Sequence, residues 1–146
     1  MIEIDVTGRI PDVLSEALIR KVVEAGFAQA KHRPKGSMSI TFVTDARMQQ
    51  LNRKYRKKNK STDVLSFGEP EIPTVDRTGR NYGDIFVSPT YVRGEAKRRK
   101  IEFREELARV IVHGVLHLLG FDHVTHEEEI HMFTLQEHAV AKALKL

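Results

Sequence analysis

The pattern of apolar and polar positions along the chain predicts four strands and several helices. In the first segment, Ile2, Ile4 and Val6 alternate with polar residues, which is the period of a strand with one buried face. Residues 69–82, EPEIPTVDRTGRNY, contain Pro and Gly and are predicted to form a loop. The predicted strands are residues 2–7, 38–43, 62–67 and 83–88.

Apolar residues at helical spacing, together with residues that suit the start or end of a helix, predict five helices. Pro11 and Pro89 suit the first turn of a helix, and Thr125 with Glu128 has the spacing of a capping box. The fourth helix is apolar nearly all round, which is typical of a helix buried at the centre of a fold, and Gly120 is suited to ending it. The predicted helices are residues 11 to about 30, 45–55, 89 to about 99, 102–119 and roughly 126–144.

These elements fit a single α+β (mixed α/β) domain that covers residues 1–146. We expect a roughly four-stranded mixed sheet with about five helices, and a central helix packed between the sheet and the outer helices. Charged residues make up 30% of the chain and hydrophobic residues 40%, which is typical of a globular protein.

The sequence lacks the segments that would place it in a membrane or in the secretory pathway. MIEIDVTGRI has no basic stretch followed by an apolar core, and no apolar run approaches the roughly 18 residues that span a membrane. There is no cysteine, so disulfide partners are excluded and a metal ion would be held by nitrogen and oxygen ligands. We therefore expect a cytoplasmic protein with no membrane partner.

The net charge of +4 is unevenly distributed along the chain. Residues 1–104 contain 21 Lys and Arg against 13 Asp and Glu, whereas residues 105–146 contain 3 against 7. Such a split favours a polyanionic partner, with nucleic acid as the first candidate, although solvated surface charge is the simpler alternative.

The segment HGVLHLLGFDH, residues 113–123, carries histidines at its first, fifth and eleventh positions and a glycine at its eighth. This is the spacing of the metzincin motif H-E-x-x-H-x-x-G-x-x-H, except that Gly114 stands where a protease needs a glutamate as general base. His113 and His117 share one face of the predicted helix, and the turn at the glycine brings His123 close. Three imidazoles with an open fourth position are the ligands of a catalytic zinc.

Two observations favour a metal site over core histidines that are merely hydrogen-bonded. With 7 histidines in 146 residues, roughly 0.015 chance matches to this spacing are expected. Imidazoles on a buried, apolar helix also cost free energy unless each is satisfied, and a metal ion satisfies them. We therefore predict one Zn²⁺ per chain on His113, His117 and His123, in a zincin-like arrangement. A structural zinc would need a fourth ligand, from His126 or a carboxylate.

Asp122 directly precedes the third histidine and could support the metal site. It is predicted to orient a ligand histidine from outside the ligand set or to act on metal-bound water, and a simple turn aspartate is the alternative. His126, His131 and His138 are predicted to lie on the outer face of the last helix.

Without a glutamate beside the metal, phosphodiester cleavage is a better match than peptide hydrolysis. Negative charge then builds on phosphoryl oxygens, where a metal ion and arginine stabilise it electrostatically. RKYRKKNK, residues 53–60, holds six basic residues around a tyrosine, and a second basic cluster lies at 97–100. Such residues can follow a phosphate backbone and stack on an unpaired base, although charge runs also simply face water. The predicted RNA contacts are Arg53, Lys54, Tyr55, Lys57, Lys58, Lys60, Arg98 and Arg99.

The histidine motif, together with NRKYR, TDVLSF, GDI and the late MFTLQE, resembles the bacterial rRNA maturation factors known as the YbeY endoribonucleases. The resemblance implies a zinc-dependent, single-strand-specific endoribonuclease that acts in 16S rRNA 3′-end maturation and ribosome quality control. It implies the small ribosomal subunit and its associated proteins as partners. It also implies zinc on the three histidines and a functional Arg56 that faces the metal cleft. The candidate catalytic residues are therefore Arg56, on the scissile phosphate, and His113, through the metal.

Two other functions stay open at this point. A zinc peptidase or amidase would explain the metzincin spacing, and it would need a glutamate from elsewhere, such as Glu106, as its base. A non-catalytic ribosome-assembly factor would hold a structural zinc with four protein ligands and would bind RNA without cutting it. For a ribonuclease, the sequence does not decide whether water or a ribose 2′-OH is the nucleophile.

Overall fold

A computed structural model of the chain describes residues 2–68 and 80–146. The strands in these residues are β1 (Ile2–Gly8), β2 (Gly36–Phe42), β3 (Val64–Phe67) and β4 (Arg80–Val87). The helices are α1 (Glu16–Gln29), α2 (Asp45–Arg56), α3 (Pro89–Arg99), α4 (Phe103–Leu118) and α5 (His126–Leu144). None of these helices is both long enough and apolar enough to cross a membrane.

The four strands form one mixed sheet, which confirms the predicted α+β architecture. Their order is β1-β2-β4-β3, with β1, β2 and β4 parallel and β3 antiparallel to β4 at one edge. The register sets Ile40 of β2 between Val6 of β1 and Ile85 of β4. Because side chains alternate along a strand, these apolar residues share the face of the sheet that carries the main core.

The fourth helix lies at the centre of the fold, as its apolar character predicted. It packs against β3 and β4 and against the helices α1, α3 and α5. Leu107, Ile111 and Leu116 are fully buried on this helix. Since α4 also carries His113 and His117, the histidine motif is mounted on a helix that is held by packing on several sides.

A smaller apolar cluster fixes α2 against the opposite face of the sheet. Met48 and Leu51 of α2 pack with Leu65 and Phe67 of β3, and Phe86 of β4 joins them. This packing sets the C-terminal end of α2, with its basic residues, beside the edge strand β3.

Most element boundaries agree with the predicted ones, and the differences have local causes. The first helix begins at Glu16 rather than near Pro11, because the Ser15 hydroxyl accepts a hydrogen bond from the Leu18 N–H and caps the helix there. The prediction of a loop is wrong for residues 80–82, which belong to β4, and Arg80 and Asn81 pair with β2. The rest of that predicted loop, residues 69–79, lies outside the described residues.

The predicted C-terminal end of α4 and the predicted start of α5 are both confirmed. Gly120 has φ +94°, and the N–H groups of Gly120 and Phe121 donate to carbonyl oxygens of the last turn of α4, each at 3.0 Å. This Schellman arrangement reverses the chain after α4. At the start of α5, Thr125 and Glu128 exchange the two hydrogen bonds of a capping box.

Lysine rather than glycine ends several helices. Lys100 has φ 57° and separates α3 from α4, and Lys57 and Lys145 end α2 and α5 in the same left-handed conformation. The boundary near residue 100 therefore exists without a glycine or serine to mark it in the sequence.

Candidate metal centre and cleft

His113, His117 and His123 come together at the C-terminal end of α4, as the motif spacing predicted. The Nε2 atoms of His113 and His117 are 3.0 Å apart. The turn at Gly120 brings the ring centroid of His123 to 5.5 Å from that of His113 and 5.2 Å from that of His117. Each ring offers one nitrogen, and the three nitrogens lie within 4.8 Å of one another.

The three imidazoles fit a divalent metal ion. Nitrogens that bind one tetrahedral zinc at ~2.0–2.1 Å lie roughly 3.3 Å apart, which is close to the spacing of the two helical ligands. His113 and His117 are half-buried, whereas His123 is exposed. No fourth histidine or carboxylate in residues 2–68 and 80–146 joins the group, and all three histidines line the adjacent cleft.

The surroundings of the two helical histidines keep them neutral. Burial lowers the pKa of His113 from its ordinary 6.5, and this outweighs a hydrogen bond with Gln136 that acts in the opposite direction. Burial also lowers the pKa of His117 to about 4, and the neighbouring rings of His113 and His123 add to the shift. A neutral imidazole has the lone pair that a metal ion binds, so both rings are available as ligands at neutral pH.

Gln136 of α5 contacts the first histidine and was not predicted as a site residue. Its Oε1 lies 2.8 Å from Nδ1 of His113, and the side chain is buried with 8% exposure. The segment MFTLQE that contains it was part of the family resemblance, and Met132 and Gln136 are both buried one turn apart on α5. That pattern marks a face turned inward, but it does not identify the partner.

Asp122 supports the third histidine through the backbone. Its Oδ1 accepts a hydrogen bond from the N–H of His123 at 2.7 Å, which is the contact of a turn aspartate. The contact with a ligand ring is made by Gln136, on His113, and the orienting role predicted for Asp122 stays a prediction. His126, His131 and His138 are exposed on α5, as predicted.

Gly114 lies where α4 packs closely on the sheet. A Cβ at this position would lie 3.0 Å from Cδ1 and 3.1 Å from Cγ2 of Ile85, and 3.1 Å from Oγ of Ser66. Side chains of β3 and β4 therefore crowd the position at which a metzincin carries its general base, and this close packing favours glycine there.

A cleft of about 700 Å³ opens beside the three histidines. One wall is the edge strand β3 with the segment before it, and another wall is formed by α3 and α4. Arg56 also lines this cleft, as the resemblance implied. Its Nη2 donates to the carbonyl oxygen of Ser66 at 2.8 Å, and its guanidinium carbon lies 4.5 Å from the centre of the Phe67 ring.

Arg99, predicted as an RNA contact, lies in the same cleft. Its Nη1 donates to Glu106 at 2.9 Å, and Glu106 also accepts from Arg109 at 3.1 Å. Glu106 is buried, with 4% exposure, and its carboxylate forms ion pairs with both arginines. Because of this pairing, the carboxylate is not free to act as a general base. Arg98, in contrast, is an exposed partner of Glu95 that does not line the cleft.

The remaining predicted RNA contacts lie at the end of α2. Arg53 and Lys54 line a separate surface depression, and the Tyr55 ring packs edge-on against Phe67 at 5.1 Å. The packing of Tyr55 in the smaller apolar cluster accounts for an aromatic residue there without a nucleotide base. Lys57, Lys58 and Lys60 are exposed. Contact of these residues with RNA stays a prediction.

Known proteins resemble this chain over nearly its whole length. The family described as Endoribonuclease YbeY matches residues 4–144. The endoribonuclease YbeY of Lacticaseibacillus casei (strain BL23) is 39% identical over 85% of this chain and 84% of its own. The endoribonuclease YbeY of Lysinibacillus sphaericus (strain C3-41) is 37% identical over 94% of this chain and 92% of its own. A Thermotoga maritima protein solved in solution has a TM-score of 0.67 and 28% identity, covering 97% of this chain and 89% of that one. The chain therefore belongs to the YbeY endoribonuclease family.

Proposed function

We propose that this chain cuts single-stranded RNA in the cleft beside the three histidines and that a zinc ion is its cofactor. Endoribonucleases of this family cleave phosphodiester bonds in RNA. The observation that carries the proposal is the placement of three imidazoles and Arg56 around one cleft of about 700 Å³.

His113, His117 and His123 would hold the ion through one ring nitrogen each. An all-nitrogen donor set with an open position suits zinc, which would supply Lewis-acid polarisation of an oxygen ligand. The basis for choosing zinc is the ligand chemistry, because imidazole also binds nickel and other divalent ions.

Arg56 would bind the scissile phosphate and offset the negative charge that builds on it. The hydrogen bond to Ser66 and the face of Phe67 fix the guanidinium at the wall of the cleft before RNA arrives. A preorganised cation loses little further conformational freedom on binding, which favours stabilisation of the transition state.

Two rival functions are less well supported by the same site. A peptidase needs a base beside the metal, whereas Gly114 packs on the sheet and Glu106 is paired with two arginines. A structural zinc in an assembly factor needs four protein ligands, and the group found in the described residues has three.

We also propose that the substrate is rRNA near the 3′ end of the 16S molecule, in the cytoplasm, with the small ribosomal subunit and its proteins as partners. The support is the family resemblance and the exposed basic residues that follow α2. Single-strand specificity would follow from the need to fit an unpaired backbone between β3 and α3.

The test compares Arg56→Ala and Arg56→Lys with wild type on a labelled single-stranded RNA, with the metal content of each preparation measured. We expect kcat/KM to fall by about 100-fold or more in Arg56→Ala, with partial recovery in Arg56→Lys, which keeps the charge but loses the planar fork. Arg47→Ala, an exposed arginine at the other end of α2, is the matched control and should cut at the wild-type rate.

Equal cleavage by Arg56→Ala and wild type at equal metal content would show that the role assigned to Arg56 is wrong. The cleaved ends identify the nucleophile. A 2′,3′-cyclic phosphate would indicate attack by the ribose hydroxyl, and a 3′-hydroxyl with a 5′-phosphate would indicate attack by water.

A further inference from the structure

A row of polar contacts runs through the protein to the first histidine of the motif. Arg109 of α4 donates two hydrogen bonds to the carboxylate of Glu137 on α5, at 2.7 and 2.8 Å. Glu137 also accepts a hydrogen bond from Nε2 of Gln136 at 3.3 Å. The other end of the same amide contacts Nδ1 of His113 at 2.8 Å. Arg109 itself is largely buried and is also bonded to Glu105 and Glu106.

The carboxylate of Glu137 fixes which way the Gln136 amide points. Its hydrogen bonds from Arg109 lower the pKa of Glu137, so the group is ionised at neutral pH and has no proton to donate. An ionised carboxylate only accepts hydrogen bonds, and the amide must therefore turn its NH₂ group toward Glu137. The carbonyl oxygen of the amide then faces His113.

The carbonyl oxygen in turn fixes the proton on the imidazole. A carbonyl oxygen only accepts, so Nδ1 of His113 carries the hydrogen and donates it to Gln136. The opposite nitrogen, Nε2, is then left with its lone pair, and it is this atom that lies 3.0 Å from Nε2 of His117. We propose that Gln136, oriented by Glu137, is a positioning residue that holds His113 in the tautomer required of a metal ligand.

This inference rests on the proposed metal centre but concerns residues that bind no metal themselves. Gln136 and Glu137 lie on α5, which contributes none of the three histidines. A hydrogen bond of this kind to the second nitrogen of a ligand histidine fixes the ring and raises its basicity, and its loss typically weakens metal binding by about 10–100-fold. A buried amide that only satisfied its own hydrogen bonds would have no such effect on the metal.

The test uses the full chain and two readouts that do not depend on RNA cleavage. Nitrogen NMR of the metal-free protein near pH 7.5 shows which nitrogen of His113 carries the proton. Competition with a chelator gives the dissociation constant for zinc. The variants are Gln136→Leu, which removes the acceptor at similar volume, and Gln136→Glu, which keeps an acceptor. Glu129→Gln, an exposed acid on the same helix, is the matched control.

We expect the proton on Nδ1 of His113 in wild type, Gln136→Glu and Glu129→Gln, with similar zinc affinity in all three. Gln136→Leu should show a mixture of tautomers and bind zinc about 10–100-fold more weakly. A proton on Nε2 in the wild type would overturn the inference. So would an unchanged tautomer and unchanged zinc affinity in Gln136→Leu.

Failure of the metal function can be told apart from failure of this inference. A wild-type protein that binds no divalent ion, yet has the proton on Nδ1, would end the proposed metal function and still support the assignment of the tautomer to Gln136. If Gln136→Leu does not fold, the wild-type and Gln136→Glu spectra decide, because Gln136→Glu must then retain the Nδ1 proton.

Discussion

Replacing Gly114 with alanine tests why the position next to His113 has no side chain. The added Cβ would meet Ile85 at 3.0 and 3.1 Å and Ser66 at 3.1 Å. The serine hydroxyl and the terminal Cδ1 of Ile85 can rotate away. The Cγ2 of Ile85 cannot, because it is fixed to the Cβ of a fully buried residue in β4. The methyl group therefore overpacks the contact between α4 and the sheet.

Two contributions of opposite sign determine how far Gly114→Ala changes the free energy of unfolding. Alanine favours a helix over glycine by about 0.8–1.0 kcal/mol, and an extra methyl in a packed core costs about 1–3 kcal/mol. The net expectation for Gly114→Ala is a loss of roughly 0–2 kcal/mol in the free energy of unfolding. Gly94 of α3 is the matched control, because nothing lies within 4 Å of where its Cβ would be. Gly94→Ala should gain about 0.8–1.0 kcal/mol.

Urea denaturation followed by circular dichroism measures both variants against wild type. The helix-propensity term is common to the two, so their difference of about 1–3 kcal/mol reports the packing cost alone. In thermal unfolding each kcal/mol corresponds to about 2–4 °C for a chain of this size. If Gly114→Ala were stabilised as much as Gly94→Ala, close packing would not explain the missing general base.

Three further predictions concern stability. Lys100 has φ 57°, so Lys100→Gly should raise the melting temperature through a gain of about 0.5 kcal/mol in the free energy of unfolding. Lys97→Gly, inside α3, should lower the melting temperature through a loss of about 0.7 kcal/mol. Equal effects of the two substitutions would contradict the left-handed conformation of Lys100. Arg109 lowers the pKa of Glu137 below its ordinary 4.5, so the stabilisation from this carboxylate is present above that value and is lost as the pH falls through the lowered native pKa. The difference in unfolding free energy between wild type and Glu137→Gln should therefore narrow below about pH 4.5, and a constant difference would show that the pairing is not responsible. Zinc at about 100 times its dissociation constant should stabilise wild type by about 2.7 kcal/mol in a thermal shift assay, and the same shift in His117→Ala would place the ion elsewhere.

The histidine triad was predictable because the sequence encodes it within a single stretch. His113 and His117 share a helical face, and the glycine turn that returns His123 follows directly. Helix periodicity and one Schellman motif are local rules, so the geometry of these ligands could be derived without knowledge of the tertiary fold.

The partner of His113 was not predictable in the same way. Gln136 lies 23 residues further along the chain and reaches the ring only because α5 packs on α4. The sequence gives the inward face of α5 but not its rotation relative to α4, on which the contact depends. Arg56 was identified by the family resemblance, and residue types alone could not have selected it, since only the packing of α2 on β3 distinguishes it from the basic residues around it.

Two helix boundaries that the sequence pattern placed wrongly or did not mark have local structural causes. Pro11 looked like the first turn of a helix, but the Ser15 side chain caps α1 four residues later. Lys100 ends α3 in a conformation that usually requires glycine, so the sequence there continues to look helical. Both cases depend on backbone conformations that residue type alone does not determine.

Cleavage of a labelled single-stranded RNA by wild type and by His117→Ala, purified identically and with metal content quantified, tests the metal-dependent ribonuclease function most directly. Wild type should cut, chelation should stop the cutting, and the variant should be inert. Equal cutting by the two preparations would identify a contaminant and contradict the assignment. A wild-type protein that holds zinc and binds RNA but does not cut it would contradict catalysis and favour the assembly-factor function.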